Sequence, residues 1–263
     1  MSVPVSFEVF PPKTEAGLER LADTVRRLDR VGPAFISVTY GAGGSDRDRS
    51  FAAIDTVRRA TSAPIAAHLT CVGQSRADVE AVIDRYSRLG VDHVVALRGD
   101  PPGGVDAPYQ PHPDGFATTA ELVAAVTARC DASVTVSAYP ERHPQSPTDA
   151  HDLDVLQQKI AAGADCAMTQ MFFDNRYFRD YLERVRARGL DIPIVPGVFP
   201  IHCLETVSRF AARCGSTMPE HVSERFAGTD ADTARSVAVD VAAEQIRELV
   251  DLGVPGVHLY TLN

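Results

Sequence analysis

The sequence predicts an α/β fold, a (β/α)₈ TIM barrel occupying residues 1–263 as one domain. Three observations predict it. Strand-like and helix-like hydrophobic patterns alternate along the whole chain, eight strands in all. Helical stretches end at Gly90, Gly163, Gly189 and Gly253, each followed within a few residues by an apolar or β-branched run. Glycine supplies the left-handed cap that turns a chain back toward a sheet. The length, 263 residues, matches the roughly 250 that one such barrel needs. Periodicity does not see closure, so an open, doubly wound parallel sheet is the alternative.

Taken in order, residues 5–10 form the first strand, and Leu18, Leu21, Val25 and Leu28 define the stripe of the first helix before Gly32-Pro33 stops it. Residues 34–40 alternate as a second strand, 48–60 are helical, and 64–69 form the third strand. Val79, Val82, Ile83, Tyr86 and Leu89 mark the next helix, and His93–Leu97 the fourth strand. A Pro- and Gly-rich loop over 99–115 is long enough to serve function. Residues 117–129 are helical, Ser133–Ala138 is the fifth strand, and Leu153, Leu156 and Ile160 line one face of the helix after it. Strands at 166–172 and 192–196 flank a helix over 177–188. Helices at 203–214 and 232–252, with a short one near 219–226, lead to the last strand at 256–260. The chain stops at Asn263, so the eighth outer helix is expected to be missing or supplied from elsewhere, the long helix at 232–252 covering part of the gap.

Composition narrows the class. Hydrophobic residues make up 44% of the chain, enough for a large core, and the 23% that are charged are too few for a disordered chain. The net charge of −9 argues against general nucleic-acid binding, which needs a basic face. Five cysteines without CxxC spacing suit a reducing compartment. No signal-peptide pattern opens the chain, and no apolar run approaches the ~18 residues of a membrane span. A cytoplasmic location follows. His68, His143 and His151 lack an HExxH or Cys/His arrangement, so no metal is expected.

In a barrel of this type the site is built at the carboxyl ends of the strands. Polar residues gather there: Glu8, Thr39, Tyr40, His68, Arg98, Gly99, Asp100, Tyr139, Glu141, His143, Thr169, Gln170, His258 and Tyr260. Each buried charge needs a partner, so a purely structural barrel has little reason to collect them. Glu8 stands in the apolar run Val5-Ser6-Phe7-Glu8-Val9-Phe10. Burial there favours the neutral carboxylic acid, the form that donates a proton; a structural ion pair with Arg98 or Lys159 is the other reading. Gly99 in Arg98-Gly99-Asp100-Pro101-Pro102 either lets a ligand approach the backbone or belongs to a solvated turn. The glycine-rich run from Val38 to Ser45 either cradles phosphate or relieves loop strain. His93 and His258 read as structural histidines, and Asn175, Arg176 and Tyr177 as a helix start.

These residues fall in motifs that together carry a resemblance. Phe7-Glu8-Val9-Phe10-Pro11-Pro12-Lys13, Ser37-Val38-Thr39-Tyr40-Gly41-Ala42, His68-Leu69-Thr70-Cys71 and Ala96-Leu97-Arg98-Gly99-Asp100 come first. Ala138-Tyr139-Pro140-Glu141 with His143-Pro144, Ala161-Ala162-Gly163-Ala164 and Thr169-Gln170-Met171-Phe172-Phe173-Asp174 follow. Pro196-Gly197-Val198-Phe199-Pro200 and Tyr260-Thr261-Leu262-Asn263 complete the set. In this order, over nearly the whole chain, the sequence resembles the bacterial type of methylenetetrahydrofolate reductase.

The resemblance implies a cytoplasmic TIM-barrel enzyme that reduces 5,10-methylenetetrahydrofolate to 5-methyltetrahydrofolate with NADH or NADPH, in the family's usual route through bound FAD. It makes Glu8 the general acid that protonates N10 and opens the imidazolidine ring to a 5-iminium cation. It makes Asp100 the aspartate that recognises the pterin and stabilises that cation. Gln170 and Tyr260 join the substrate site, where Gln170 contacts folate and nicotinamide in turn. Leu204 stands where relatives carry a phenylalanine that packs on either substrate. Thr39, His68, Arg98, Gly99, Tyr139, His143, Asp152 and Lys159 match the cofactor site.

The helix that holds FAD in the family departs from its pattern, because Val155 and Gln158 replace an asparagine and an arginine. A charged hydrogen bond is worth about 1.5–3 kcal/mol, so this loss weakens flavin binding roughly tenfold or more. Two routes stay open: ping-pong turnover through FAD, or direct hydride transfer from the nicotinamide to the iminium carbon. A folate-binding barrel without turnover and a folate-linked one-carbon transferase are the other functions the same pocket would allow.

Overall fold

The computed structural model describes residues 3–41, 47–101, 103–105, 107–261 and 263. Of the glycine-rich run after the second strand, residues 42–46 lie outside the described residues, and neither of its two readings is addressed. The elements are β1 (Val5–Val9), α1 (Glu15–Asp29), β2 (Ile36–Val38), α2 (Arg47–Ala60), β3 (Ile65–Thr70), α3 (Arg76–Leu89), β4 (His93–Leu97), α4 (Thr119–Arg129) and β5 (Ser133–Ala138). There follow α5 (Asp149–Ala161), β6 (Cys166–Thr169), α6 (Asn175–Ala187), β7 (Ile194–Val195), β8 (Gly197–Val198), α7 (Leu204–Arg213), α8 (Glu220–Glu224), α9 (Ala231–Asp251) and β9 (Val257–Tyr260).

All strand pairs are parallel, in the order β7-β6-β5-β4-β3-β2-β1-β9-β8. The two ends of that order, β7 and β8, are neighbours in sequence, separated only by Pro196. They are one barrel strand broken at a residue that has no N–H to give the ladder. Ile194–Val195 pairs with β6, and Gly197–Val198 pairs with β9. The Pro196 carbonyl still accepts from His258 N at 2.9 Å. The sheet therefore curls round on itself as a nearly closed barrel, which excludes the open sheet. The strand expected to stop at 196 instead continues two residues past the proline.

The helices form because their caps and stripes agree. Thr14, Ser75, Thr118, Thr148 and Asp230 each accept a backbone N–H at a helix start. Leu21 and Val25 of α1 are buried, as are Val79, Val82, Ile83 and Tyr86 of α3. Removing a buried Leu or Ile side chain from such a core costs about 2–5 kcal/mol. Gly90 closes α3 with φ +63° in the left-handed region, as the punctuation pattern requires. Tyr86 reaches from α3 to donate to the His68 carbonyl at 2.8 Å, which fixes the strand that carries His68.

Three helices separate β8 from β9, as the sequence pattern predicts, and α9 docks beside α6 in the outer ring. Asn175 Nδ2 donates to the Gln245 carbonyl at 3.1 Å, and Gln245 Nε2 to the Phe172 carbonyl at 2.7 Å. A second apolar cluster, with Met171, Phe173, Phe199, Ile201, Val207 and Phe226, fills the space between these helices and the barrel end. Among the described residues no helix is long and apolar enough to cross a membrane.

Candidate active site

The carboxyl ends of the strands surround a cavity of about 500 Å³. Glu8 reaches it from β1, Thr39 from the end of β2, His68 from β3, and Arg98, Gly99 and Asp100 from the loop after β4. Tyr139 and His143 follow β5, Asp152 and Lys159 belong to α5, Gln170 follows β6, and Tyr260 closes the ring from β9. Every residue given a catalytic, substrate or cofactor role by the resemblance lines this one cavity except Leu204; of the other strand-end polar residues, Tyr40 lines it and Glu141, Thr169 and His258 do not.

Leu204 does not line the cavity. It shares a stripe of α7 with the buried Val207 and Ala211, and that stripe packs into the second apolar cluster. The aromatic surface on this side of the cavity comes instead from Phe199 and Phe210. The ring of Phe210 is 43% exposed and lies 5.8 Å from that of Phe199.

The floor of the cavity is built round Glu8, which is only 6% exposed. Its Oε2 lies 3.3 Å from His68 Nε2 and 3.9 Å from His258 Nε2. The two cations considered as its ion-pair partners are engaged elsewhere, so that reading is corrected: two imidazoles face the carboxyl group. Burial pushes the His68 imidazole below its usual range, with Glu8 opposing and His258 reinforcing the shift. A neutral ring therefore faces the carboxyl group near neutral pH. Tyr260 donates its hydroxyl to the Thr169 carbonyl at 2.6 Å, and burial holds its phenol well above the ordinary range, so it stays a donor. Gly197 makes room for it, since a Cβ there would stand 2.4 Å from Tyr260 Cε2.

Gln170 anchors its backbone N–H on the Ala138 carbonyl at 2.8 Å, and its Oε1 accepts from Met171 N at 2.9 Å. This turns the amide nitrogen into the group available to a ligand. Asp100 sits exposed at the rim. Gly99 has φ +84°, but a Cβ there would meet Val72 Cγ1 at 2.5 Å and Thr70 Cβ at 3.0 Å. The Cβ direction at this glycine is filled by the protein's own chain, while its backbone lines the cavity.

The opposite wall is cationic, and its charges are already bonded within the chain. Arg98 donates through Nη2 to Gln145 Oε1, and its guanidinium lies 4.4 Å from the centre of the Tyr109 ring. Gln145 in turn donates to the carbonyls of Val105 and Ala107 at 2.7 and 2.6 Å, tying the loop after β4 to the loop after β5. Lys159, 4% exposed, donates to Ser137 O at 2.9 Å and Ser137 Oγ at 3.2 Å. Burial pulls its ammonium down to about 8, with Asp152 opposing and Arg98 adding to the shift. Asp152 accepts from His143 N at 2.8 Å and from Ser146 Oγ. The rings of Tyr139 and His143 meet edge to face at 4.7 Å. On α5, Val155 and Leu156 face the cavity, while Gln158 is exposed outside it.

Sequence reasoning read His258 as a structural histidine and missed Gln145. Strand alternation held the signal for the first: Ser6 and Glu8 share a face of β1, and His258 and Tyr260 the same face of β9. Glutamine in an irregular loop gives no comparable signal. Among the described residues, no group of three or more His, Cys, Asp or Glu side chains is placed to hold a metal ion.

A buried carboxyl group, a rim aspartate and a bonded cationic wall round one cavity at the strand ends are the layout of a TIM-barrel enzyme's active site. The family model described as methylenetetrahydrofolate reductase matches residues 1–263. A 5,10-methylenetetrahydrofolate reductase of Pectobacterium carotovorum is 38% identical over 98% of this chain and 85% of its own length. The chain belongs to the methylenetetrahydrofolate reductase family, whose members are oxidoreductases. A maize relative named methylenetetrahydrofolate reductase (NADH) 1 is 32% identical over 98% of the chain and 46% of its own length. A solved structure from Clostridium thermocellum, titled as an uncharacterized protein that binds two copies of 5-methyl-5,6,7,8-tetrahydrofolic acid, superposes with a TM-score of 0.68. At 15% identity, covering 100% of this chain and 90% of the other, it shows the shared fold.

Proposed function

We propose that this chain, acting as one domain in the cytoplasm, reduces 5,10-methylenetetrahydrofolate to 5-methyltetrahydrofolate by hydride transfer directly from a nicotinamide dinucleotide. The observation that carries the reading is Glu8, buried on the cavity floor beside a neutral His68 and sharing the cavity with Asp100 and Gln170.

Glu8 donates a proton to N10 of the imidazolidine ring. The bond from the methylene carbon to N10 breaks, its electron pair stays on N10, and a 5-iminium cation remains. The Asp100 carboxylate, at the rim, stabilises that cation. Hydride from nicotinamide C4 then forms the new C–H bond, leaving 5-methyltetrahydrofolate and oxidised nicotinamide. Transfer needs the two carbons held about 3–3.5 Å apart. The Gln170 amide is placed to hold either ring system. The net charge of −9 and the lack of an arginine cluster for a 2′-phosphate favour NADH.

A flavin dinucleotide does not fit the residues present. Its pyrophosphate needs cations, and both candidates are committed: Arg98 to Gln145 and Tyr109, Lys159 to Ser137. The cavity face of α5 carries Val155 where an amide would be needed, and Gln158 lies outside the lining.

The test is folate-promoted NADH oxidation by freshly purified, untagged protein, with its visible absorbance spectrum taken beforehand. Turnover in protein without flavin absorbance is expected. Stoichiometric flavin would overturn direct transfer, and folate binding without NADH oxidation would leave only a binding barrel.

A further inference from the structure

His258 is wholly buried, yet it carries a ring nitrogen without a protein partner. Its other nitrogen, Nδ1, lies 2.7 Å from Ser6 Oγ. The Ser6 hydroxyl has an acceptor of its own in the Val257 carbonyl at 3.5 Å. The hydroxyl proton turned there lets Ser6 Oγ accept from Nδ1–H, the arrangement that places the His258 proton on Nδ1. The ring cannot swing away: Phe35 stacks on it at 5.7 Å and the Tyr260 ring meets it edge-on at 5.2 Å. Nε2 then presents a bare lone pair toward Glu8 Oε2, 3.9 Å away.

A lone pair facing a carboxyl group repels the carboxylate and accepts from the acid, directly or through a bridging water at this distance. We propose that Ser6 and His258 form a positioning pair that holds Glu8 as the neutral acid before each proton transfer. The groups facing this pair are Glu8 on β1, His68 on β3 and Tyr260 on β9, with Phe35 covering the ring. His68 is neutral through burial and Tyr260 keeps its proton, so no cation among them competes for the carboxylate. Register makes the arrangement possible, because Ser6 pairs with His258 and Glu8 with Tyr260 across the β1–β9 ladder. This inference rests on the reading of Glu8 as the proton donor.

A general acid must carry its proton to act, so loss of that proton appears as a falling limb of the kcat/KM profile at high pH. In Ser6→Ala the ring is free to move its proton to Nε2 and donate to the carboxylate. The descending limb of the kcat/KM profile should move down by about one pH unit, a tenfold loss of rate on that limb. Ser6→Thr, which keeps the hydroxyl, should restore it. In the intact protein, ¹⁵N NMR of histidine, assigned with His258→Gln, should show an unprotonated Nε2. A limb that stays in place in Ser6→Ala while Glu8→Gln is inactive would overturn the pair, as would a His258 proton found on Nε2. Turnover persisting in Glu8→Gln would instead remove the acid itself, and this inference with it.

Discussion

The two ends of the cavity are both polar, but they use their charges oppositely. On the floor, Glu8 faces His68 and His258, whose facing nitrogens have no protein partner. Buried polar atoms of this kind are costly, and a protein keeps them where a substrate or a proton will use them. On the wall, Arg98, Lys159 and Asp152 are each bonded to the chain's own loops and strands. A cation already satisfied gains less from a phosphate, because the new bond replaces an existing one. The floor is thus prepared for chemistry and the wall for holding loops. This difference separates a preserved proton donor from a weakened dinucleotide cradle.

The comparison can be broken most forcefully at Glu8. Glu8→Gln should lower kcat by about 10²–10⁴-fold, the range for loss of a general acid, with folate affinity nearly unchanged. Stopped-flow rates and equilibrium folate titration check this together. Asp100→Asn, at the rim, should raise the folate KM and slow reduction by about tenfold, an effect near 1.4 kcal/mol, measurable in steady state.

Beside the wall, the double substitution Val155→Asn with Gln158→Arg should restore an amide on the cavity face of α5 and a cation on a side chain long enough to reach the cavity from the exposed position 158. Flavin affinity, read by fluorescence quenching, should rise at least about tenfold. No change would mean that the bonds of Arg98 and Lys159, not the missing side chains, set the limit.

The smallest expected effect concerns stability. Burial lowers the His68 imidazole from 6.5, so the unfolded chain binds its proton more readily than the fold does. Stability is then lost as pH falls below about 6.5, with a slope of at most ~1.4 kcal/mol per pH unit for this one group. Melting curves across that window should flatten in His68→Asn; an unchanged slope would mean that His68 does not hold its neutral form in the fold.

Much of this was legible in the sequence, for reasons that can be named. Alternation and the glycine caps gave the barrel its elements, because a parallel sheet buries both faces of each strand and demands apolar runs at regular intervals. The eight repeating units favoured closure, but how the barrel closes was not legible, since it depends on Pro196 letting one strand pair with β6 on one side and β9 on the other. The motif residues converge on one cavity because strand ends place them there. Leu204 did not, because a substitution seen in a motif says nothing about which way a helix face turns. The partners of Glu8 were misjudged because charge complementarity pointed to Arg98 and Lys159. Register, which sets Ser6 opposite His258, decides instead which groups meet on the floor.

The central claim is that a proton from Glu8 and a hydride straight from nicotinamide meet in one cavity. Reduction with NADH deuterated at the transferring C4 position tests it most directly, because a flavin N5–H exchanges with solvent and a direct transfer does not. Mass spectrometry of the product should find deuterium retained in the methyl group of 5-methyltetrahydrofolate. A methyl group without label, with the deuterium recovered in water, would contradict the account.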